Sequence, residues 1–154
     1  MRIRRYAPAD LDAVMDLFRE SVRRIAIRDY SEAQVKVWAP DEPDRERWAA
    51  RRASRPTWIA EIDGDIAGFT DLEPDGYVDM MFVHPDHQGK GVASALLETA
   101  ESEAARLGLD RLYTEASITA RPFFERKGFR VIAPQTVSLR GMDFINYRME
   151  KRLA

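Results

Sequence analysis

The sequence predicts an α+β fold: a mixed, mainly antiparallel sheet flanked by helices on both faces. Three observations carry the expectation. Apolar residues recur at helical spacing in two places, first Leu11, Val14, Leu17, Phe18 and Val22, then Val92, Leu96, Leu97, Ala100 and Ala104. Between them lie β-rich runs punctuated by the turn signals Asp63-Gly64-Asp65 and Pro74-Asp75-Gly76, so these strands are hairpin-linked and antiparallel. The second helical stretch is followed by a further strand, which allows one parallel, right-handed βαβ pairing in the sheet. At 154 residues a single domain over 1–154 is the expected organisation. A chain of that size buries roughly 68 to 70% of its unfolded surface, enough for a core without covalent staples.

Taken in order, residues 3–6 read as a short strand followed by Pro8 and Asp10, and the first helix then runs to about Ile27. Ser31 and Gln34, three apart, form a capping box that opens a short helix, and Pro40 stops it. Residues 44–53 make another short helix before Pro56. Residues 57–62, 66–72 and 77–83 are three antiparallel strands. The polar loop His84-Pro85-Asp86-His87-Gln88 leads through a glycine pair into the helix beginning near Val92, which closes at Leu107-Gly108 with the glycine as C-cap. Residues 111–115 form the strand that can lie parallel to 77–83. Residues 119–127 form a short helix closing at Gly128, and 129–137 with 142–149 make a final hairpin.

Composition excludes several classes. The chain has no cysteine, which removes a disulfide framework, a cysteine-based zinc site and a cysteine nucleophile. Its 24 basic and 26 acidic residues leave a net charge of −2, which argues against a dedicated nucleic-acid surface. Arg45, Arg47, Arg51, Arg52 and Arg55 cluster beside Asp41, Glu42, Asp44 and Glu46, and mixed signs at that spacing read as a solvated helix face. No 18 apolar residues run together, and no apolar h-region follows the charged opening residues, so a cytoplasmic location away from membranes is expected. His84 and His87 form His-x-x-His, but in a loop and without cysteine they read as turn residues, and no metal is expected.

The segment best suited to chemistry is Gln88-Gly89-Lys90-Gly91-Val92-Ala93-Ser94. Glycines at the junction of a loop and a helix let successive N–H groups turn toward one point, and the helix dipole adds positive potential, so the segment is built to hold an anion. The spacing fails the P-loop pattern, which needs Gly-x4-Gly-Lys-Ser/Thr. Against the dinucleotide-binding fingerprint, Gly89 and Gly91 fit and Glu115 falls near the position of a ribose-binding acid. Ser94 stands at the third glycine, however, and the upstream strands are hairpin-linked rather than parallel.

At these residues the sequence resembles a known family. Gln88-Gly89-Lys90-Gly91-Val92-Ala93 is similar to the Gln/Arg-x-x-Gly-x-Gly/Ala signature of the GCN5-related N-acetyltransferases, and it follows Val83-His84-Pro85, a common lead-in there. Downstream, Ser117-Ile118-Thr119-Ala120-Arg121-Pro122-Phe123-Phe124-Glu125-Arg126-Lys127-Gly128-Phe129 resembles the family's Asn-x-x-Ala-x-x-Phe-Tyr-Glu-x-x-Gly-Phe segment. The order of elements agrees as well. The resemblance thus spans nearly the whole chain and implies the acyl-CoA N-acyltransferase fold.

It also implies acetyl-CoA as co-substrate. Backbone amides from Gln88, Gly89, Lys90, Gly91, Val92, Ala93 and Ser94 would hold the pyrophosphate. Met81, Phe82 and Val83, on a bulged strand that splays from residues 111–115, would pair with pantetheine, and Ser117 and Phe124 occupy cofactor-side positions of the second motif. An N–H of the same strand, already aimed at the thioester oxygen, would stabilise the negative charge that develops there. Transfer to an amine needs a base, because an alkyl ammonium near pKa 10 is mostly protonated at neutral pH. Asp79, a carboxylate inside an otherwise apolar strand, is the leading candidate, with Glu73 and Glu115 behind it. With no cysteine to carry an acyl group, direct transfer is favoured.

Two positions depart from the family pattern: Phe124 stands where a Tyr general acid is usual, and Ser117 where Asn is usual. A thiolate whose pKa is about 8.5 can leave unassisted or take a proton from water, and Tyr77, Tyr113 and Tyr147 are alternative donors. In this family the segment between the first two strands walls the acceptor site, which makes Tyr30 and Trp38 candidate substrate contacts and Asp29 a candidate partner for a cationic amine. The expected acceptor is the primary amine of a small molecule. The edge of the final hairpin offers a surface for a homodimer. Two other readings stay open: a non-catalytic acyl-CoA-binding or sensing module on the same fold, in keeping with Phe124, and an interaction domain using the arginine-rich helix.

Overall fold

The computed structural model describes residues 1–153. In chain order the elements are β1 (Arg2–Arg5), α1 (Leu11–Arg24), α2 (Glu32–Trp38), α3 (Arg45–Ala53), β2 (Thr57–Ile62), β3 (Asp65–Asp71), β4 (Tyr77–Val78), β5 (Met81–Val83), α4 (Val92–Arg106), β6 (Arg111–Ser117), α5 (Arg121–Arg126), β7 (Arg130–Leu139) and β8 (Met142–Arg152), with short 3-10 turns at Pro8–Asp10, Ala26–Arg28 and Pro85–His87.

Local signals account for most of these boundaries. Ser31 Oγ accepts from Gln34 N at 3.0 Å while Ser31 N donates to Gln34 Oε1 at 2.8 Å, the reciprocal box that starts α2. Asp63 and Gly64 both have left-handed φ, 50° and 81°, as a two-residue hairpin turn between β2 and β3 requires. The last short helix is trimmed to Arg121–Arg126, because Ser117 Oγ accepts from Ala120 N at 3.0 Å and holds the preceding residues in a turn.

The expected single strand over 77–83 is two strands, and the expected single sheet is two. One sheet has the order β1-β2-β3-β5 and the other β4-β6-β8-β7. β4 lies parallel to β6, with Tyr77 opposite Tyr113 and Val78 opposite Thr114. Three residues later β5 lies antiparallel to β3, with Met81 opposite Thr70 and Val83 opposite Gly68. The cause of the break is the buried carboxylate of Asp71 at the end of β3. Its Oδ1 accepts from Asp79 N at 2.9 Å and Met80 N at 3.0 Å, the two N–H groups that a continuous strand would have given to a ladder.

Helices cover the first sheet on both faces. Val14, Leu17, Phe18 and Val22 of α1 pack with Ile59 and Phe69, while Val92, Leu96 and Leu97 of α4 pack with Trp58, Ala60 and Ala67. A Cβ on Gly68 would come within 2.7 Å of Val92 Cγ1 and 2.9 Å of Phe82 O, so glycine there lets α4 seat closely on β3. Among the described residues no helix is long and apolar enough to cross a membrane.

Candidate active site

Where β4 and β5 part company, a cleft of about 740 Å³ opens between the free edge of β5 and the part of β6 that runs past its β4 partner. Met81, Phe82 and Val83 line one side and Glu115, Ala116 and Ser117 the other, with Gln88, Gly89, Gly91, Val92, Ala93 and Ser94 at one end. Lys90 is not part of the lining; it is exposed, its Nζ 3.2 Å from His87 Nδ1.

The loop has the form of an anion cradle. Gly89 and Gly91 have φ of 74° and 79°, and nothing lies within 4 Å of where a Cβ would stand on either, so their backbone is open to an approaching group. Gly91 is the N-cap of α4 and supplies no side-chain oxygen, leaving the first-turn N–H groups without a protein acceptor. A helix terminus in that condition fits a pyrophosphate. Gln88 Nε2 donates to Val83 O at 3.1 Å, and His84 Nδ1 accepts from Asp86 N at 3.0 Å, so the loop is tied to the end of β5.

The three candidate bases separate by environment. Asp79 lies at the break and lines the cleft, but its Oδ2 is 3.4 Å from Arg51 Nη1, 3.4 Å from Arg55 Nη1 and 3.9 Å from Arg52 Nη2, so the lone pairs a base would use face guanidinium groups. Glu73 lies outside the lining, with Oε2 3.3 Å from Arg55 Nη1, and burial pushes its carboxyl up. Glu115 is exposed on the cleft wall and makes no ion pair among the described residues.

This arrangement corrects the reading of the arginine cluster as a solvated face for Arg51, Arg52 and Arg55, while Arg45 and Arg47 are exposed as expected. Arg52 is 1% exposed, and its Nη2 donates to Asp71 Oδ2 at 2.9 Å, with Asp71 fully buried. Burial pushes the Asp71 carboxyl up, opposed by the adjacent Arg52 charge. Arg51 and Arg52, on the last turn of α3, and Arg55 just beyond it converge on the carboxylates of Asp71 and Asp79, within 2.9 to 3.9 Å.

Of the three alternative proton donors, Tyr77 alone lines the cleft. Burial, and then the negative charges of Glu115, Asp79, Glu73 and Asp71, push its phenol well above the ordinary value, so it stays protonated. Tyr113 is hydrogen-bonded to Asp75, which pushes it up to about 12, and Tyr147 lies under the Arg121 guanidinium, 4.5 Å from ring centre to Cζ. Phe124 lines the cleft but is packed edge-on against Phe123 and Phe129.

The acceptor-side candidates divide as well. Tyr30 and Trp38 both line the cleft, Asp29 does not. Tyr30 OH donates to Ile145 O at 2.7 Å and accepts from Ile118 N at 2.9 Å, so the hydroxyl ties the helical segment to the second sheet and leaves only the ring for a ligand. Trp38 stands edge-on to Phe18, Tyr30, Phe82 and Phe144. Asp29 accepts from Thr119 Oγ1 at 2.8 Å. Asn146, which sequence reasoning did not single out, lines the cleft with a buried Oδ1 that has no protein partner. Asp71 and Arg52 were missed too, since nothing local marks a strand-end aspartate or one arginine among five as buried.

A strand that changes sheets beside a helix whose N-terminus has no side-chain cap defines the acyl-CoA N-acyltransferase class of fold. The profile of the acetyltransferase (GNAT) domain matches residues 26–151, and the chain belongs to that family, the GCN5-related N-acetyltransferases. It is 38% identical over 149 residues, 97% of this chain and 94% of the relative, to the uncharacterized N-acetyltransferase YafP of Escherichia coli K12. A GCN5-related N-acetyltransferase from Rhodopseudomonas palustris superposes with a TM-score of 0.95 at 35% identity, over 99% of this chain and 95% of that one. The PaiA N-acetyltransferase of Thermoplasma acidophilum, solved in complex with coenzyme A, has the same fold, with a TM-score of 0.79 at 20% identity over 99% and 98% of the two chains.

Proposed function

We propose that this N-acetyltransferase moves an acetyl group from acetyl-CoA directly to the primary amine of a small molecule, with both substrates bound in one cleft. The observation that carries the reading is the convergence of three features there: the uncapped N-terminus of α4, the unpaired edge of β5, and a free carboxylate on β6. Backbone N–H groups at the start of α4 hold the pyrophosphate. The edge of β5 pairs with the pantetheine amides and turns one N–H toward the thioester oxygen, where it stabilises the tetrahedral oxyanion. Glu115, directly or through a water, takes the ammonium proton. The amine nitrogen then bonds to the carbonyl carbon, the carbon–sulfur bond breaks, and the thiolate leaves unassisted or takes a proton from water, because the Tyr77 phenol, pushed well above its ordinary value, is too weak an acid to supply one. Asp79, with its Oδ2 held by arginines, contributes to the cleft wall rather than to proton transfer.

A second reading, an acyl-CoA-binding module without turnover, is favoured by one observation: Phe124, where a phenol is usual, is 3% exposed and packed in the core. Calorimetric titration with acetyl-CoA, followed by a thiol-release assay across a broad amine panel, separates the two. Amine-dependent release supports the enzyme. Tight binding with no release from any amine supports the module, and no binding at all removes both.

A further inference from the structure

The break between β4 and β5 leaves one peptide group in an unusual setting, the one that joins Met80 to Met81. Its carbonyl, Met80 O, accepts from Thr70 Oγ1 at 2.8 Å and from Asp71 N at 3.2 Å, which fills both of its lone pairs. Met80 N, one bond pair earlier, donates to Asp71 Oδ1 at 3.0 Å. Thr70 and Asp71 are fully buried, and Thr70 is not part of the cleft lining. The peptide is therefore gripped from behind by two adjacent residues of β3.

The N–H at its other end points the opposite way. N–H groups two residues apart on a strand face the same edge, and His84 N, just past β5, donates to Ala67 O of β3 at 2.8 Å. The Phe82 N–H thus also faces β3, and those of Met81 and Val83 face the cleft. Val83 O agrees with this phase, since it accepts from Gln88 Nε2 on the loop side at 3.1 Å. Asp79 N is taken by Asp71 Oδ1 at 2.9 Å, so Met81 supplies the first free N–H after the break and Val83 the second, roughly 6.8 Å further along. Coenzyme A runs in a fixed order from pyrophosphate through the pantetheine amides to the thioester. With its pyrophosphate at residues 88–94 it passes Val83 before Met81, and the thioester carbonyl comes to the Met81 N–H.

We infer that Thr70 is a positioning residue for acetyl transfer: its hydroxyl, acting through the Met80 carbonyl, aims and strengthens the Met81 N–H as the donor to the thioester oxygen. An amide whose carbonyl accepts hydrogen bonds is polarised and donates more strongly from its N–H. A donor fixed before the reaction needs no reorganisation as the oxyanion forms. The inference rests on the proposed acetyl transfer and adds to it the donor atom and the side chain that holds it.

The test removes the hydroxyl and keeps the shape: Thr70→Val deletes the donor to Met80 O, and Thr70→Ser retains it. Loss of a direct oxyanion donor costs about 10²–10³-fold in kcat. Thr70 acts through one peptide, so Thr70→Val should lower kcat about tenfold with the acetyl-CoA KM unchanged, and Thr70→Ser should stay within about twofold of the parent. A packing role would not move the infrared stretch of an isotope-labelled acetyl carbonyl in acetyl-CoA bound without amine. That band should lie at higher frequency in Thr70→Val than in the parent and in Thr70→Ser. Thr70→Ala removes the same donor and takes the place of the valine variant if that chain does not fold. A parental band in the variant lacking the hydroxyl, or an equal loss of kcat in Thr70→Ser, overturns the inference. If acetyl-CoA binds but no amine releases CoA, the band alone decides. If acetyl-CoA does not bind, the acetyl-transfer reading falls and the inference falls with it.

Discussion

The two walls of the cleft are made of different material. On the side proposed for acetyl-CoA, the binding groups are backbone: two left-handed glycines, the uncapped start of α4 and the unpaired edge of β5, all within residues 81–94. On the acceptor side they are side chains drawn from distant parts of the chain, Phe18 of α1, Trp38 of α2, Glu115 of β6 and Phe144 of β8. A backbone site must be contiguous and must use glycine at set offsets, so it is written locally. A side-chain site exists only after separate elements have packed, and each contributor looks ordinary in its own segment.

Asp71 is where the two walls join, so its loss should have the largest effect. Asp71→Asn keeps an oxygen for the N–H groups of Asp79 and Met80 but removes the close partner of the buried Arg52, leaving it only the Asp79 carboxylate at 3.9 Å. Removing one partner of a buried pair costs about 3–5 kcal/mol, which denaturant unfolding would read as a lower midpoint at unchanged slope. Arg52→Met in the same chain should recover part of the loss, because the two neutral residues leave no buried charge. An Asn variant as stable as the parent would show that the buried Arg52–Asp71 pair adds nothing to stability.

The next effect separates the bases within the acceptor wall. Glu115→Gln should lower kcat by about 10²-fold or more, the usual contribution of a general base, with the acetyl-CoA KM unchanged. Asp79→Asn, whose lone pairs already face Arg51 and Arg55, should lower kcat less than tenfold and raise the acceptor KM. The reverse order would move the base to Asp79. A smaller effect tests the backbone wall. Gly91→Val places a branched side chain at φ of 79° in open space, so the penalty is conformational, about 1–2 kcal/mol, and the acetyl-CoA KM should rise about tenfold while the acceptor KM holds.

What could be read in advance follows the same division. The Ser31–Gln34 box, the Asp63-Gly64 turn and the glycine loop are short-range chemistry, and each appears where expected. The residues themselves do not show the strand break, which only the family resemblance implied as a bulge and a splay, because Tyr77-Val78-Asp79-Met80-Met81-Phe82-Val83 has continuous β-propensity and the competitor for its N–H groups is a carboxylate on another strand. Arg52 was unreadable for a related reason. Its neighbours Glu46, Arg47 and Arg51 set a mixed-charge pattern that describes a solvent-facing helix, and only the position of Asp71 decides that one arginine turns inward.

The smallest expected effect is the most specific test of the backbone wall. Lys90 is the one cation in the glycine loop, and a site that relied on formal charge would depend on it. Its side chain instead lies outside the cleft lining, beside His87, while the uncapped N–H groups of α4 carry the partial positive charge of the helix terminus. Lys90→Ala should therefore change the acetyl-CoA KM less than twofold at physiological salt, with any residual difference vanishing as salt screens an exposed charge. A rise of tenfold or more would mean that the pyrophosphate is held by a side chain after all, and the contrast between the two walls would then be one of position rather than of material.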